Sequence, residues 1–219
     1  MKPYNTAVIF AGGKSSRMGQ DKALLPFGAS PTLTQYQYQR LQRLFKNVYI
    51  STKQDKFDFN CHIIEDHYPQ SSPLVGLLSL FESLPKEAVE EAVFVLSVDS
   101  PFVDEHIIHT LFRTQDQTSD ITLAQSPQGT QPLCAIYKKS ILPLLKTQYQ
   151  NNNHKLKDLC QKANTQNIYF EDQKPFMNLN YKEEYEKALL RMEKSTFPKD
   201  YTTPPNKPKV VIIRKHYSH

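Results

Sequence analysis

The stretch AVIFAGGKSSRMGQDKALL, residues 7–25, opens with an apolar run, Ala7 to Phe10, and breaks at the pair Gly12-Gly13. Polar and basic residues follow, then Gly19-Gln20-Asp21-Lys22 and a second apolar run. A short apolar run closed by glycines reads as a buried strand entering a loop. Walker A needs glycine five positions after its first, and here Arg17 or Met18 stands there. The Gly-x-Gly-x-x-Gly dinucleotide pattern is also missing. What remains is a glycine pair followed by Lys14, Ser15, Ser16, Arg17 and Lys22. Backbone amides, hydroxyls and cations on one loop suit a polyphosphate. A glycine turn carrying solvated charges stays open as the alternative reading.

Working outward, apolar runs predict further strands at Val48 to Thr52, His62 to Glu65, Val93 to Val98, Ile121 to Ala124, Leu133 to Tyr137 and Ile168 to Phe170. Leu74, Leu77, Leu78 and Phe81 follow helical spacing, as do Tyr185, Ala188, Leu189 and Met192. Ile107, Ile108, Leu111 and Phe112 form a narrower stripe on a third predicted helix. Strands separated by helices imply crossover connections, hence an α/β fold whose mainly parallel sheet is covered on both faces. Ligands in such a sheet bind beyond the carboxyl ends of the strands, so the loops starting at Ala11 and Asp99 are expected to be neighbours.

The chain has 219 residues, 39% hydrophobic content and a net charge of +5, enough to bury a core in one domain of ordinary size. The charge is localised. Residues 195–219 carry Lys199, Lys207, Lys209, Arg214 and Lys215 against Asp200, and so supply four of the five net charges. The same stretch contains Pro198, Pro204, Pro205 and Pro208, which preclude a continuous helix. It reads as an extended, solvated tail whose last apolar run, Val210 to Ile213, either adds an edge strand or stays unpaired. A near-neutral body gives no footprint for nucleic acid. The run TAVIF is too short for a signal peptide, and no apolar run reaches bilayer length, so a cytoplasmic protein without a membrane partner is expected. Cys61, Cys134 and Cys160 lie far apart, with neither a disulfide framework nor zinc spacing.

A second informative stretch is AVFVLSVDSPF, residues 92–102, where a buried strand delivers Asp99 just before Ser100-Pro101 breaks the pairing. A strand-end carboxylate near solvent can hold Mg2+, which takes one or two carboxylates together with substrate phosphates. It can also be a helix cap. Asp66, closing HIIED, has similar geometry. His106 and His109 lie three apart with no third ligand within spacing reach and read as ordinary surface or half-buried histidines.

Taken together, FAGGKSSRMGQDKALL, SPLVGLLSLFESL, VDSP, QPLCAIY and FMNLNYKEEY resemble, in order, the motifs of the molybdenum cofactor guanylyltransferases, the MobA-type nucleotidyltransferases. The resemblance spans about residues 6–192. It implies a Rossmann-like three-layer fold of nucleotidyltransferase type over residues 1–194, with the basic, proline-rich tail 195–219 outside it. It implies transfer of GMP from GTP to the phosphate of molybdopterin, with release of pyrophosphate and with Mg2+ as cofactor. Phe10, Ala11, Gly12 and Gly13 would cradle the nucleotide, and Arg17 and Lys22 would contact its phosphates. Ser51 and Asp66 stand at nucleoside-contacting positions and Asp99 at the metal position. Lys22, Arg17 and Asp99 are then the catalytic set, and molybdoenzyme-maturation proteins are left open as further partners.

The chain departs from the pattern at three places: Ser72 replaces a glycine, Ser51 an asparagine of some members, and TQPL lacks a basic residue before its proline. These leave the triphosphate site intact and bear on pterin contacts and base choice. Cytidylyl transfer to molybdopterin, nucleotidyl transfer to a sugar phosphate, and a non-catalytic nucleotide-binding regulator are the competing functions. The missing second domain counts against the sugar reading, and retention of Lys22 with Asp99 against the regulator.

Overall fold

Strand β1, Tyr4–Phe10, buries every side chain from Thr6 onward, and its pleat sends alternate residues into two separate cores. Ala7 and Ile9 enter one cluster, Val8 and Phe10 the other. A strand buried on both faces must lie inside a sheet covered on both sides. The computed structural model, which describes residues 2–12, 19–84, 92–196 and 210–213, has that arrangement. Gly13 and Arg17, with Lys14, Ser15 and Ser16, lie outside the described residues.

The other strands are β2 (Phe45–Thr52), β3 (His62–Glu65), β4 (Val93–Ser97), β5 (Ile121–Ser126), β6 (Gly129–Tyr137), β7 (Thr165–Phe170) and β8 (Val210–Ile213). The eight-stranded sheet has the order β3-β2-β1-β4-β6-β5-β7-β8. Among these strands only β6 and β8 run against the rest. The sheet is therefore mainly parallel, as expected, but the step from β5 to β6 is a hairpin through Pro127-Gln128 instead of a crossover. A two-residue connection can only join antiparallel strands. β8 pairs antiparallel with β7, so the tail's apolar run takes the edge-strand option.

Helices α1 (Leu33–Leu44), α3 (Glu105–Thr114) and α6 (Lys182–Thr196) cover the first core, and α2 (Pro73–Ser83), α4 (Leu142–Gln150) and α5 (Leu156–Lys162) the second. Fully burying each large apolar side chain contributes roughly 1.5–3 kcal/mol. The apolar stripes predict α2, α3 and α6, but not α1. The buried face of α1 includes Thr34 and Gln37 beside Leu33, Leu41 and Leu44, which interrupts the apolar count. Its start is nonetheless capped by Thr32, whose hydroxyl accepts from the Gln35 amide at 3.0 Å. The short helices α4 and α5 also lack a predictive stripe: in each, burial is confined to two or three residues.

Candidate active site

β1 lies between β2 and β4, and the chain leaves β1 toward one side while returning on the other, a topological switch point. The backbone ladder continues just past the strand ends: Ala11 N–H donates to Ser51 O at 3.0 Å and Val98 N–H to Phe10 O at 3.0 Å. These bonds bring the loops after β1, β2 and β4 to one edge of the sheet. The expected adjacency of the Ala11 and Asp99 loops is borne out.

Gly19 has φ +66°, a left-handed conformation that favours glycine, and leads into a single 3-10 turn at Lys22–Leu24. Asp21 caps this turn, its Oδ1 accepting from Ala23 N–H at 3.0 Å. Ala23 is buried, and its carbonyl accepts from the Thr34 hydroxyl at 2.8 Å. So held, Lys22 extends to Asp99: its Nζ pairs with Asp99 Oδ2 and donates to Asn180 Oδ1 at 3.3 Å.

Asp99 is 8% exposed, which corrects the expectation of a carboxylate near solvent. It caps no helix, since Asp104 caps α3. Its Oδ1 accepts from the Ser97 hydroxyl at 2.5 Å, and its backbone carbonyl accepts from Leu179 N–H at 2.9 Å. That backbone bond brings the Asn178-Leu179-Asn180 segment against the end of β4. Asn178 Oδ1 accepts from the Ser100 hydroxyl at 2.6 Å. Glu184 in the first turn of α6 accepts from the amides of Asn180 (2.7 Å) and Tyr181 (3.0 Å), fixing the approach of that segment. The guanidinium of Arg40, on α1, donates to the carbonyls of Pro101 and Val103 and so holds the loop that follows Asp99.

Two cavities share a wall here. The smaller, about 170 Å³, is lined by Phe10, Gly12, Ser51, Asp66 and Gly76 among others. Ser51 donates to Asp66 Oδ1 at 3.4 Å. Burial raises the Asp66 carboxyl above its usual range, against the opposing pull of the Ser51 hydroxyl, Lys53 and His67. A Cβ at Gly76 would meet Phe10 Cε2 at 3.0 Å and Ser51 Oγ at 3.2 Å, so glycine lets helix α2 close against the cavity floor. The larger cavity, about 640 Å³, contains Asp99, Ser100, Asn178, His154, Lys155 and Lys157. Pro73, Ser97 and Leu133 line both. The strand pairing jumps between Leu123 and Ala124, and Pro132, which has no amide to donate, stands in the bulge on β6. Tyr137 satisfies the Pro132 carbonyl at 2.6 Å, leaving Gln131 to Cys134 along the large cavity.

No group of three or more His, Cys, Asp or Glu side chains gathers for a metal among the described residues. The donor set at Asp99 is a lone carboxylate among amide and hydroxyl oxygens, and Lys22 places a cationic group against it. That fits a hard cation completing its shell with water and phosphate oxygens, and not a zinc-type cage. His106 is exposed and His109 bonds the Tyr4 hydroxyl at 2.5 Å.

Phe10, Ala11, Gly12, Lys22, Ser51, Asp66 and Asp99 converge on this edge, whereas Gly13 and Arg17 lie outside the described residues. Sequence reasoning did not assign Ser97, Lys56, Asn178 or Asn180. The two asparagines lie within FMNLNYKEEY, and their Asn-x-Asn spacing was the available signal. Ser97 and Lys56 carried none.

Residues 7–167 match the family model of the MobA-like NTP transferase domain, and the chain belongs to that family. It is 40% identical over 188 residues to a molybdenum cofactor guanylyltransferase of Campylobacter jejuni, covering 85% of this chain and 96% of that one. It is 34% identical to a molybdenum cofactor guanylyltransferase of Helicobacter pylori, over 83% of this chain and 87% of the relative. The solved molybdopterin-guanine dinucleotide biosynthesis protein A of Archaeoglobus fulgidus shares the fold, with a TM-score of 0.71 at 15% identity over 86% of this chain and 99% of that one.

Proposed function

We propose that this member of the MobA-like NTP transferase family transfers GMP from GTP to the terminal phosphate of molybdopterin. The observation that carries the reading is the pair of cavities with a common wall at Pro73, Ser97 and Leu133, where Ser97 hydrogen-bonds the Asp99 carboxylate that lines the larger cavity and pairs with Lys22. A nucleotidyl transfer needs a donor and an acceptor side by side, both anionic. The smaller cavity, with Ser51 and Asp66, suits the nucleoside of the donor. The larger falls within the size range of small-molecule sites and presents Lys155 and Lys157 to an anionic acceptor.

A phosphate oxygen of the acceptor attacks the α-phosphorus of GTP, forming a new P–O bond, while the α–β bridging P–O bond breaks and pyrophosphate leaves. Two anions must approach, so neutralisation and alignment are the main tasks of the protein. Lys22 sets an ammonium beside the reacting phosphates, with its turn held by Asp21 and Thr34. Ser97 and the Leu179 amide orient Asp99. Mg2+, held by Asp99 and phosphate oxygens, would supply further neutralisation of the triphosphate. Cys61, Cys134 and Cys160 are free thiols, which agrees with a reaction in the reducing cytoplasm. Among the described residues no helix is long and apolar enough to cross a membrane.

Calorimetric titration of GTP, ATP and CTP in Mg2+, followed by pyrophosphate release with molybdopterin, tests the reading. GTP should bind most tightly and alone sustain release. Equal affinity for all three nucleotides would remove the guanylyl assignment.

A further inference from the structure

We propose that Lys56, in the connection between β2 and β3, is a positioning residue for this reaction, acting by locking the turn that aims Lys22 at Asp99. The proposal rests on the nucleotidyl-transfer reading of that site. Lys56 Nζ donates to the backbone carbonyl of Ala11 at 3.1 Å and pairs with Asp21 Oδ2 at 2.5 Å. Ala11 is the first residue past β1, and its amide is already bonded to Ser51. The ammonium therefore ties the end of the central strand to a residue ten positions later, on the far side of the glycine loop.

An ion pair on a protein surface is usually worth little, because water screens it and both side chains lose freedom. Three features set this pair apart. The lysine side chain is only 17% exposed. Its ammonium has a second, rigid acceptor in the Ala11 carbonyl, so its location is set by the sheet and not by the carboxylate alone. Both oxygens of Asp21 are committed, Oδ2 to Lys56 and Oδ1 to the Ala23 amide, so the carboxylate cannot rotate without losing the cap of the turn.

The turn itself is three residues long, Lys22–Leu24, too short to hold a direction by its own hydrogen bonds. On its downstream side it is fixed by the burial of Ala23, by the Thr34 hydroxyl on the Ala23 carbonyl, and by Leu33 N–H on the Leu25 carbonyl at 2.7 Å. On its upstream side, Asp21 links the turn to Lys56 and thence to the sheet. A lysine side chain is long and flexible, and a small tilt of its backbone moves the ammonium by an ångström or more, enough to cost up to about a hundredfold in rate. Lys56 thus acts on Lys22 through the carboxylate between them.

The test compares Lys56→Met, Lys56→Arg, Asp21→Asn and the double variant Lys56→Met/Asp21→Asn, reading kcat, KM for GTP, and hydrogen exchange at the Ala23 amide in the ligand-free protein. Lys56→Met should lower kcat roughly ten- to a hundredfold with a much smaller change in KM, and Lys56→Arg should restore most of it. Asp21→Asn should match the loss, and the double variant should be no worse than either single one, because both break the same link. Exchange at Ala23 should quicken by roughly fivefold, the factor one ordinary hydrogen bond carries, while the Leu159 amide, far from the turn, stays unchanged. Losses that multiply in the double variant, or a loss confined to KM, would overturn the proposal in favour of direct phosphate contact by Lys56. Unchanged kcat with unchanged Ala23 exchange would reduce the pair to an ordinary surface contact. The exchange measurement needs no substrate, so it remains decisive should the wild-type protein prove not to turn over GTP, an outcome that would sink the transfer reading instead.

Discussion

Lys22 and Asp99 stand 77 positions apart in the chain and meet, ammonium to carboxylate, at the carboxyl edge of the parallel sheet. Neither the glycine loop nor β4 carries the site alone. The contact exists because β1 and β4 are neighbours in register, Phe10 beside Ser97, which aligns the residues that follow each strand.

Loss of the Lys22 ammonium should lower turnover by roughly a hundredfold or more in Lys22→Ala, the scale of one well-placed electrostatic donor. Lys22→Arg should recover little, since a planar guanidinium does not reproduce a point ammonium at a confined phosphate site. Steady-state rates for the two variants check this, and near-normal turnover of Lys22→Arg would show that bulk positive charge suffices.

Asp99→Asn should abolish turnover, and because Asp99 is buried it should also lower Tm. Removing the charge leaves the part-buried Lys22 ammonium without its carboxylate, a cost of about 1–3 kcal/mol. Each kcal/mol corresponds to roughly 2–4 °C in a domain of this size. Thermal unfolding beside activity separates the two effects; full activity at saturating Mg2+ would move the metal role to another residue, with Asp66 next in line.

Asp66 makes a pH-dependent contribution of definite sign. Burial raises its carboxyl above the usual 3.8, so the folded chain holds this proton more tightly than the unfolded one. Stability from this group is present below the usual carboxylate range and is lost as pH rises through the raised value. Asp66→Asn removes the charge, so at pH 7 the variant should melt no lower than wild type and bind Mg·GTP more weakly, the gap in Tm narrowing as pH falls. Melting curves across pH 4 to 8 check it, and a variant destabilised most at pH 7 would contradict the sign.

Gly76→Ala sets two effects against each other. Alanine favours the helix by about 1 kcal/mol, while the added methyl, 3.0 Å from the Phe10 ring, overpacks the contact at a cost of about 1–3 kcal/mol. Tm should therefore change little or fall modestly. Phe10 must move, and it lines the 170 Å³ cavity, so nucleotide affinity should fall more than stability does. Calorimetry with GTP beside thermal unfolding distinguishes this from a general loss of fold.

Local chemistry made much of the fold and part of the site legible in the chain itself. The apolar run Ala7 to Phe10, the glycine break after it, the stripes on α2, α3 and α6, and the carboxylate ending VFVLSVD each follow from periodicity and turn chemistry acting over a few residues. The glycine loop and the strand end singled out Lys22 and Asp99, and the resemblance to the MobA-type nucleotidyltransferases added Ser51 and a nucleoside-contacting position for Asp66. Where an element is held by long-range partners, the sequence was silent or misleading. Helix α1 buries Thr34 and Gln37 where the turn and the end of β4 offer carbonyl acceptors to the Thr34 hydroxyl and the Gln37 amide N–H. β6 reverses direction because of a two-residue hairpin that reads like any other loop. Asp99 is largely buried because Ser97 and Lys22 take up its carboxylate and the Leu179 amide holds its backbone carbonyl, Lys22 and Leu179 both lying far along the chain. Lys56 looks like an ordinary surface lysine until β1 and the turn at Asp21 converge on its ammonium. Residue type and spacing are properties of neighbouring positions and are written along the chain, whereas burial, pairing and shared cavities depend on which distant segments the sheet brings together. Tertiary structure alone decided that second set.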